Sequence, residues 1–291
     1  MSSKKILITG ASGLIGSHLV RTFRAGEEVY AVSRSGNLPE VKTVDVDLAA
    51  EWSIDDLPRD IDVVVHLAQS EHYREFPERA EDIFAVNTLS TLKLLDYARS
   101  TGVKQFVLAS TGGVYGSGAD SFSEEKTIAA KGELGFYVGT RLCSEILSEC
   151  YQTLMNVVCL RFFFVYGPGQ RKNMLIPRLI DSVRNGKPVQ LHGENGLSIN
   201  PAYVGDAVAA VRRAMVIEGS HKLNVAGPEA LSLRTIADII GEEVGRPPVF
   251  EVNPSDDNRD LLGDTERMRS ALHVPEVRFR DGLRLLLSEM S

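Results

Sequence analysis

The sequence predicts an α/β fold, a doubly wound parallel sheet followed by a smaller α+β region. Short apolar runs alternate with helical patterns over residues 1–165, the order typical of a chain that repeats strand, helix and strand. One run, Ile61–Ala68, is almost wholly apolar, as expected of a strand that helices cover on both faces. Over residues 166–291 proline and glycine punctuate the chain, so we predict a second region there, with segments that return to the first domain.

Composition and charge exclude several classes of protein. The 291 residues are 43% hydrophobic and 24% charged, which is enough apolar material for a sizeable globular core. A net charge of -7 offers no basic footprint for nucleic acid. The first residues lead directly into a strand without the apolar core of a signal peptide, and no apolar run is long enough to span a membrane. We expect a cytoplasmic protein that binds neither nucleic acid nor membranes.

The 3 cysteines indicate neither a metal centre nor a disulfide framework. Cys143, Cys150 and Cys159 are odd in number and lack the spacing of metal ligands. Cys143 and Cys150 would share one face of a helix. We predict buried, reduced thiols and no metal site.

One glycine-rich stretch near the N-terminus organises the first domain. An aliphatic run, Ile6–Thr9, is followed by three regularly spaced glycines and then by apolar residues at helical spacing. In such a pattern Gly10 allows a sharp turn, Gly13 lets a pyrophosphate approach the backbone, and Gly16 lets the helix pack close to the strand. A purely structural turn could use the same glycines, but the flanking elements favour a dinucleotide site. The predicted cofactor-binding residues of this stretch are Gly10, Ser12, Gly13, Leu14, Ile15 and Gly16.

The second predicted strand, Val29–Val32, bears on which dinucleotide binds. NAD-binding domains of this kind carry an acid at the end of that strand, where this chain has Ser33 and Arg34. An arginine there can pair with the 2′-phosphate of NADP(H), so we predict that NADP(H) is preferred over NAD(H). The alternatives are that Arg34 stacks on the adenine or is only solvated.

The remaining elements continue the alternation of strands and helices. A short third strand, Val44–Leu48, places Asp47 near its end, and the apolar fourth strand places His66 near its end, where we predict a packed residue and not a catalyst. Further strands are predicted at Gln105–Ala109 and Val157–Phe163. Helices are predicted at 75–100, 136–154, 174–185, 206–218 and 232–245.

Several motifs occur together along nearly the whole chain. They are Thr9-Gly10-Ala11-Ser12-Gly13-Leu14-Ile15-Gly16, His66-Leu67-Ala68, Asn87, Ser110-Thr111-Gly112-Gly113-Val114-Tyr115-Gly116, Tyr137 with Arg141, Arg161-Phe162-Phe163-Phe164-Val165-Tyr166-Gly167-Pro168-Gly169, and Tyr203-Val204-Gly205-Asp206. Taken together they resemble the extended short-chain dehydrogenases/reductases, which include sugar-nucleotide epimerases, dehydratases and reductases. The resemblance implies a Rossmann-type dinucleotide-binding domain over 1–165 and a substrate-binding region over 166–291. It extends the predicted cofactor site to Ser33, Arg34, Asp47, Leu48, Leu67, Ala68, Gln69, Asn87, Tyr137 and Arg141.

The resemblance also implies a catalytic set of Thr111, Tyr137 and Arg141. A hydride moves between a sugar carbon and the nicotinamide, and Tyr137 exchanges the proton of the oxygen on that carbon. An unperturbed tyrosine has a pKa of about 10, which a nearby cation lowers. The family places a lysine where this chain has Arg141, which supplies charge and ribose contacts but no proton relay. Thr111 would hydrogen-bond the reacting oxygen, and the alternative for Tyr137 is a buried tyrosine at a helix start.

Three departures from the family pattern bear on the substrate. Gly112 and Gly113 stand where the dehydratases need an acidic pair, so we predict no 4,6-dehydration. Phe164 replaces an asparagine that usually touches the nucleotide diphosphate, and Ile199 replaces a phosphate-binding arginine. The candidate replacements, which are otherwise solvated surface charges, are Arg171, Lys172, Arg178 and Arg259. The predicted substrate-binding residues are Thr111, Gly112, Phe164, Arg171 and Arg259.

We predict an NAD(P)-dependent oxidoreductase that acts at a secondary alcohol or ketone of a sugar, in the first place a 4-keto sugar reductase. The preference for NADPH that Arg34 predicts is consistent with an enzyme that reduces its substrate. The alternative is a 4-epimerase, which keeps its cofactor bound and returns the hydride to the opposite face. A non-catalytic dinucleotide-binding regulator is a remote alternative. Arg141 in place of the family's lysine and the missing phosphate ligands favour it, and the Thr111–Tyr137 pair opposes it.

The family resemblance implies a homodimer. Its members commonly pair the helices predicted here at 75–100 and 136–154 across a four-helix interface. Apolar positions sufficient for both a core stripe and an interface stripe are Leu142, Cys143, Ile146, Leu147 and Cys150. The alternative is that all of these side chains face the core.

Overall fold

The computed structural model describes residues 4–23, 26–34, 38, 41–128, 132–254 and 260–290, so the predicted substrate residue Arg259 lies outside the described residues. The β-strands are β1 (Lys5–Thr9), β2 (Glu28–Ser33), β3 (Lys42–Asp45), β4 (Val63–His66), β5 (Gln105–Thr111), β6 (Asn156–Phe162), β7 (Pro188–His192), β8 (Ser198–Ile199), β9 (His221–Val225), β10 (Leu231–Ser232) and β11 (Val249–Asn253). The α-helices are α1 (Leu14–Val20), α2 (Ala80–Phe84), α3 (Ser90–Thr101), α4 (Gly135–Glu149), α5 (Leu175–Asn185), α6 (Val204–Ala214), α7 (Leu233–Val244), α8 (Glu266–Ala271) and α9 (Phe279–Glu289).

A 7-stranded sheet has the strand order β3-β2-β1-β4-β5-β6-β9. The pairs β3–β2, β2–β1, β1–β4 and β4–β5 are parallel. Because β1 lies between β2 and β4, the chain builds one side of the sheet first and then returns to build the other. That reversal is the topological switch point of a doubly wound sheet, where ligands of such folds bind at the carboxyl ends of the strands. The predicted doubly wound α/β fold is confirmed.

The chain divides into two compact units, and the first comprises Met1–Val114, Ile128–Arg161 and Val208–Leu223. Its strands are apolar because helices cover them, and the middle of β1, Ile6–Ile8, is 0% exposed. Each large apolar side chain buried in this way contributes about 1.5–3 kcal/mol to folding. Core residues from the strands and from α3 include Leu7, Val64, Leu94, Leu95, Phe106, Leu108 and Val157. This packing holds the carboxyl edge of the sheet in place.

The second unit comprises Tyr115–Thr127, Phe162–Ala207 and Asn224–Ser291. In it β7 pairs with β11 in parallel, and β8 pairs with β10 antiparallel. Its core residues from α5, α7 and α9 include Ile176, Ile180, Val183, Ile236, Ile240, Leu283 and Leu286. The sequence did not predict α8 or α9. Along the described residues, no helix combines the length and the apolar character needed to cross a membrane.

Two elements of the first unit differ from their predicted bounds. The helix predicted at 75–100 begins at Ala80, because Pro77 lies in the preceding turn and has no N–H to donate to a helix. β3 ends before Asp47, whose side chain accepts the backbone N–H of Ala49 at 2.9 Å. The N–H of Ala50 also donates to the carbonyl of Asp47 at 3.1 Å, so the chain turns here and the strand has already ended.

The prediction of buried cysteines is wrong for two of the three side chains. Cys159 on β6 is buried, whereas Cys143 and Cys150 on α4 are exposed. Ile146, which lies between them on the same helix face, is 54% exposed. Helical spacing correctly groups these residues on one face, but that face of α4 points away from the core.

Candidate active site

The glycine turn between β1 and α1 leaves no room for a side chain at two of its glycines. Gly10 has a φ of +72°, and a Cβ there would lie 2.7 Å from the amide nitrogen of Ala68. A Cβ at Gly16 would lie 2.2 Å from the carbonyl oxygen of Gly10. A larger residue would push the turn away from the segment after β4, or α1 away from the turn. The geometry therefore agrees with the turn and packing roles predicted for these glycines.

Gly13 leaves an open face at the start of α1. Its N–H donates to the carbonyl of Gly10 at 3.0 Å. Apart from its chain neighbours, the only described atom that a Cβ at Gly13 would meet within 4 Å is that same carbonyl oxygen. α1 begins at Leu14, and no described side chain caps its first N–H groups. These N–H groups and the helix dipole favour an anion. The glycine turn and the start of α1, where Ser12 and Ile15 also lie, therefore fit a dinucleotide pyrophosphate.

The predicted adenosine end of the site carries a paired arginine. Ser33 is the last residue of β2, and Arg34 follows it with 51% of its side chain exposed. Arg34 Nη2 donates to the carboxylate of Glu71 at 2.5 Å, and this bond holds the pKa of Arg34 above its ordinary value, with a further contribution from Asp47. Leu48 packs against the core of the first unit. The sequence placed a cation here but did not predict its carboxylate partner.

His66, the last residue of β4, is part of the core. It is 0% exposed, with Nδ1 2.6 Å from the hydroxyl of Thr9 and Nε2 3.0 Å from the hydroxyl of Thr91. Burial, with a smaller contribution from the charge of Arg141, lowers the pKa of His66 to about 3. The ring is therefore neutral near neutral pH, and the prediction of a packed strand-end residue is confirmed. Leu67 follows it and donates its N–H to the carbonyl of Thr9 at 3.1 Å.

Asn87 lies in a π-helical turn, Ala85–Leu89, between α2 and α3. It is 0% exposed; its side-chain nitrogen donates to the hydroxyl of Thr140 at 3.0 Å, and its side-chain oxygen accepts the N–H of Ser70 at 3.0 Å. π-helical turns are frequent at functional sites. Here the side chain ties the segment after β4 to α4, while its predicted contact with the cofactor stays a prediction.

Tyr137 lies in the first turn of α4 and is partly exposed. Its hydroxyl donates to the side-chain oxygen of Gln69 at 2.9 Å, and its ring centre lies 5.2 Å from that of Tyr73. The preceding Phe136 stacks on Phe76 with a centroid separation of 4.7 Å. The segment after β4 thus forms an aromatic wall beside Tyr137. The sequence assigned Gln69 to the cofactor, and the structure places its amide against the predicted proton donor.

Arg141 is fixed one helical turn after Tyr137. It is 2% exposed, and it donates to the carbonyl oxygen of Ala68 at 2.8 Å and to that of Ala109 at 3.4 Å. Its guanidinium carbon lies 5.9 Å from the centre of the Tyr137 ring. A permanent positive charge is thereby held between the ends of β4 and β5, close to the predicted acid/base.

Thr111 ends β5 and opens into a 3₁₀ turn, Gly112–Tyr115. Its hydroxyl oxygen accepts the N–H of Gly113 at 3.1 Å. A Cβ at Gly113 would lie 3.2 Å from the Val138 side chain and 3.3 Å from the Thr111 hydroxyl oxygen. The residue after Tyr137 therefore contacts the turn that follows Thr111, and the structure brings the predicted catalytic residues to one edge of the sheet. The same crowding opposes an acidic side chain at Gly113.

A buried ion pair next to this edge was missed by the sequence reasoning. Glu145 and Arg161 are each 1% exposed, and Arg161 Nη2 donates to the Glu145 carboxylate at 2.7 Å. The hydroxyl of Ser110, the residue before Thr111, donates to the other oxygen of that carboxylate at 2.5 Å. The signal that could have found Glu145 is its place one turn after Arg141 on α4. The pair ties α4 to β5 and β6, and so supports the position of Thr111.

Of the predicted substrate residues, Phe164 and Arg171 belong to the second unit. Phe164 is half-buried against the core of that unit and has a φ of +43°. Asparagine tolerates this left-handed region better than phenylalanine does, and an asparagine is the residue that the family resemblance implies at this place. Arg171 is exposed. Their contact with substrate stays a prediction.

Fold and site together define a short-chain dehydrogenase/reductase, with a glycine turn at the switch point of the sheet and a tyrosine-bearing helix beside the strand that ends at Thr111. The chain belongs to the NAD dependent epimerase/dehydratase family, whose model matches residues 6–226. The predicted family and the predicted enzyme class are confirmed.

Three relatives show what this chain is similar to. A dTDP-4-dehydro-6-deoxy-D-allose reductase of a Streptomyces species is 29% identical over 285 residues, or 87% of this chain and 85% of that protein. A structure of MoeE5 in complex with UDP-glucose and NAD has a TM-score of 0.84 at 30% identity and covers 98% of each chain. A UDP-glucuronic acid 4-epimerase from Bacillus cereus, in complex with UDP-glucuronic acid and NAD, has a TM-score of 0.86 at 25% identity over 98% of each chain. The prediction of a nicotinamide dinucleotide is thereby confirmed in kind.

Proposed function

We propose that the chain catalyses the NAD(P)-dependent reduction of a nucleotide-linked 4-keto sugar to a secondary alcohol. The observation that carries the proposal is the position of Tyr137 beside the buried Arg141, at the carboxyl edge of the sheet that also holds the glycine turn. The Streptomyces reductase among the relatives supports the same reaction type. Gly112 and Gly113 oppose dehydration, because they stand in the place of the acidic pair.

The catalytic residues divide the chemistry between them. The dinucleotide, when bound, supplies the hydride for the carbonyl carbon of the sugar. Tyr137 transfers its hydroxyl proton to the carbonyl oxygen of the sugar. In this structure the same hydroxyl donates a hydrogen bond to Gln69. Arg141 stabilises the phenolate that remains, because its charge is permanent and held close to the ring. Thr111 can donate its hydroxyl to the same substrate oxygen, since its own oxygen accepts the Gly113 N–H.

A second candidate function is 4-epimerisation of a nucleotide-linked sugar. The similarity to the Bacillus cereus epimerase, which extends over 98% of each chain, favours this function. In that reaction Tyr137 first accepts the proton of the sugar hydroxyl and later returns it, so the same residues serve. The distinction lies in whether the dinucleotide is consumed or retained.

An assay of the purified protein separates these candidates. It is incubated with UDP- and dTDP-linked 4-keto sugars and with NADPH or NADH, and the absorbance of the reduced nicotinamide is followed. We expect stoichiometric loss of that absorbance with at least one 4-keto sugar. Interconversion of UDP-hexoses without added cofactor, together with NAD retained through purification, would replace the reductase by the epimerase. Bound dinucleotide without either reaction would indicate the non-catalytic regulator.

The proposal includes the predicted preference for NADP(H), with only a small difference in affinity between NADP(H) and NAD(H). Arg34 supplies a cation for a 2′-phosphate, but it already pairs with Glu71. Exchange of one exposed ion pair for another contributes only about 0–1 kcal/mol. We therefore expect NADP(H) to bind no more than about fivefold more tightly than NAD(H). Direct titration of both nucleotides tests this, and tighter binding of NAD(H) would contradict it.

We also propose a cytoplasmic homodimer. Several apolar side chains on and between α2, α3 and α4 are exposed, namely Phe84 (48%), Leu89 (41%), Leu92 (38%) and Ile146 (54%). A four-helix interface would bury them. Leu147 packs against the core of the first unit, so the sharper test is Ile146→Asp, which should give folded monomers in sedimentation. A parent protein that sediments as a monomer would contradict the dimer.

The proposed cytoplasmic location is supported by the exposed thiols of Cys143 and Cys150, which fit a reducing compartment.

A further inference from the structure

The ion pair between Arg34 and Glu71 joins two segments that leave the sheet on either side of β1. Arg34 follows β2, Glu71 lies in the segment after β4, and β2 and β4 are the two neighbours of β1. Arg34 Nη2 and a carboxylate oxygen of Glu71 are 2.5 Å apart, and His72 Nε2 lies 3.7 Å from the same oxygen. β1 leads directly into the glycine turn. The adenosine half of a dinucleotide bound at that turn therefore meets Glu71 as well as Arg34.

The backbone that carries Glu71 is held by buried contacts. The preceding Ser70 is 3% exposed, and its N–H donates to the side-chain oxygen of Asn87 at 3.0 Å. Its hydroxyl donates to the carboxylate of Asp82 and accepts the N–H of His72 at 3.1 Å. Both neighbours of Glu71 are thus fixed, and the carboxylate is presented to Arg34 from a defined position.

The charges around Arg34 disfavour a second anion. The carboxylate of Glu71, and to a lesser extent those of Asp47 and Asp82, raise the pKa of Arg34. A phosphate monoester carries about −1.5 to −2 charges at neutral pH. It would have to share Arg34 with the carboxylate of Glu71 or displace it, and it would lie close to that negative charge. A 2′-hydroxyl is neutral, and it can donate a hydrogen bond to a carboxylate.

We propose that Glu71 is a specificity-determining residue, which lowers the preference of the site for NADP(H) over NAD(H) by holding Arg34. By occupying Arg34 it opposes a 2′-phosphate, which is also the effect of the acid that NAD-binding domains carry at the end of the second strand. The inference rests on the proposed function only in requiring that a nicotinamide dinucleotide binds at the glycine turn.

The substitution Glu71→Gln tests the inference, because it keeps the size of the side chain and removes its charge. Parent and variant are each equilibrated with an excess of an equimolar mixture of NAD and NADP. Free nucleotide is removed, and the bound nucleotides are released and quantified by chromatography. We expect the ratio of bound NADP to bound NAD to rise by about tenfold in the variant, the size of one charge-assisted hydrogen bond.

Glu75→Gln is the matched control. It removes the same charge from the same segment, but Glu75 contacts His72 and Arg79. The ratio should stay within about twofold of the parent value in this variant. In an Arg34→Ala background, Glu71→Gln should change the ratio by less than about threefold, because Glu71 acts by holding Arg34.

Three outcomes would overturn the inference. They are an unchanged ratio in Glu71→Gln, an equal rise in Glu75→Gln, and a tenfold rise that persists without Arg34. If the parent protein binds neither nucleotide, the proposed function and the inference fail together. If it binds them and only the ratio does not respond, the inference fails alone.

Discussion

Arg34 and Arg141 are two cations near the same edge of one sheet, and they are held in opposite ways. Arg141 is 2% exposed and donates to the backbone carbonyls of Ala68 and Ala109. Arg34 has 51% of its side chain exposed and donates to Glu71, whose side chain is itself 35% exposed. One cation is part of the packed interior, and the other belongs to a surface ion pair.

The difference suits the two tasks that we propose. A buried guanidinium held by backbone carbonyls keeps its position when the reaction begins, so its charge is already in place for the developing phenolate of Tyr137. An exposed pair is screened by solvent and salt, and its partner can be exchanged for a ligand at little cost to folding. We therefore expect substitutions at the catalytic end to change rate and stability, and those at the adenosine end to change only the choice of ligand.

Tyr137→Phe should have the largest effect. It removes the hydroxyl that exchanges the substrate proton, and we expect turnover to fall by roughly 10²–10⁴ while cofactor affinity stays nearly unchanged. Hydride transfer, followed by the absorbance of the reduced nicotinamide, is the measurement. Thr111→Val is the matched comparison and should cost less, because it removes a hydrogen bond and not the proton donor. Unchanged turnover in Tyr137→Phe would remove this residue from the mechanism.

Arg141→Met should damage both fold and catalysis. It leaves the buried carbonyl of Ala68 and the part-buried carbonyl of Ala109 without these donors, so the free energy of unfolding should fall by about 1–3 kcal/mol. It also removes the cation that lies 5.9 Å from the centre of the Tyr137 ring, so turnover should fall. Arg141→Lys retains the charge and should keep most activity. Denaturant unfolding and turnover measurements test both variants, and a Met variant as stable as the parent would contradict a fixed, preorganised arginine.

The stability of the catalytic end should depend on pH through His66. In the folded chain burial lowers the pKa of His66 to about 3, and in the unfolded chain it returns to about 6.5. Between these values the unfolded state binds a proton that the folded state does not. Stability is therefore lost as the pH falls through this window, by about 2 kcal/mol at pH 5. Unfolding midpoints at pH 7 and pH 5 measure the loss.

One variant assigns this pH dependence to His66. His66→Asn should flatten it, because the titrating ring is removed. A difference between pH 7 and pH 5 that keeps the size of the parent's in His66→Asn would show that the loss does not come from the buried ring.

The sequence could predict the parts of the site that depend on local chemistry. The spacing of Gly10 and Gly16 indicates a tight turn, and the φ of +72° at Gly10 is a local requirement that glycine meets. The place of Tyr137 one helical turn before Arg141 follows from the period of an α-helix. The apolar character of Val63–His66 likewise reports a strand covered on both faces.

Contacts between distant segments could not be predicted in the same way. Glu71 meets Arg34 across 37 residues, and Glu145 meets Ser110 across 35, so both pairs depend on how strands and helices pack. A helical pattern groups Cys143 and Cys150 on one face but does not say which face the core covers. The φ of +43° at Phe164 is equally invisible in the sequence, because phenylalanine is disfavoured in that conformation.

Arg34→Ala should have the smallest effect on the fold and so gives the sharpest test of the comparison. Its side chain is half exposed, so the free energy of unfolding should change by no more than about 0.5 kcal/mol. The ratio of bound NADP to bound NAD should fall by about fivefold, since the cation for the 2′-phosphate is lost, while NAD affinity stays within about twofold. Denaturant unfolding and the equimolar nucleotide competition measure the two quantities on the same preparation. If Arg34→Ala destabilises the protein as much as Arg141→Met does, the two arginines are not held differently. If the nucleotide ratio does not move, Arg34 takes no part in selecting the dinucleotide.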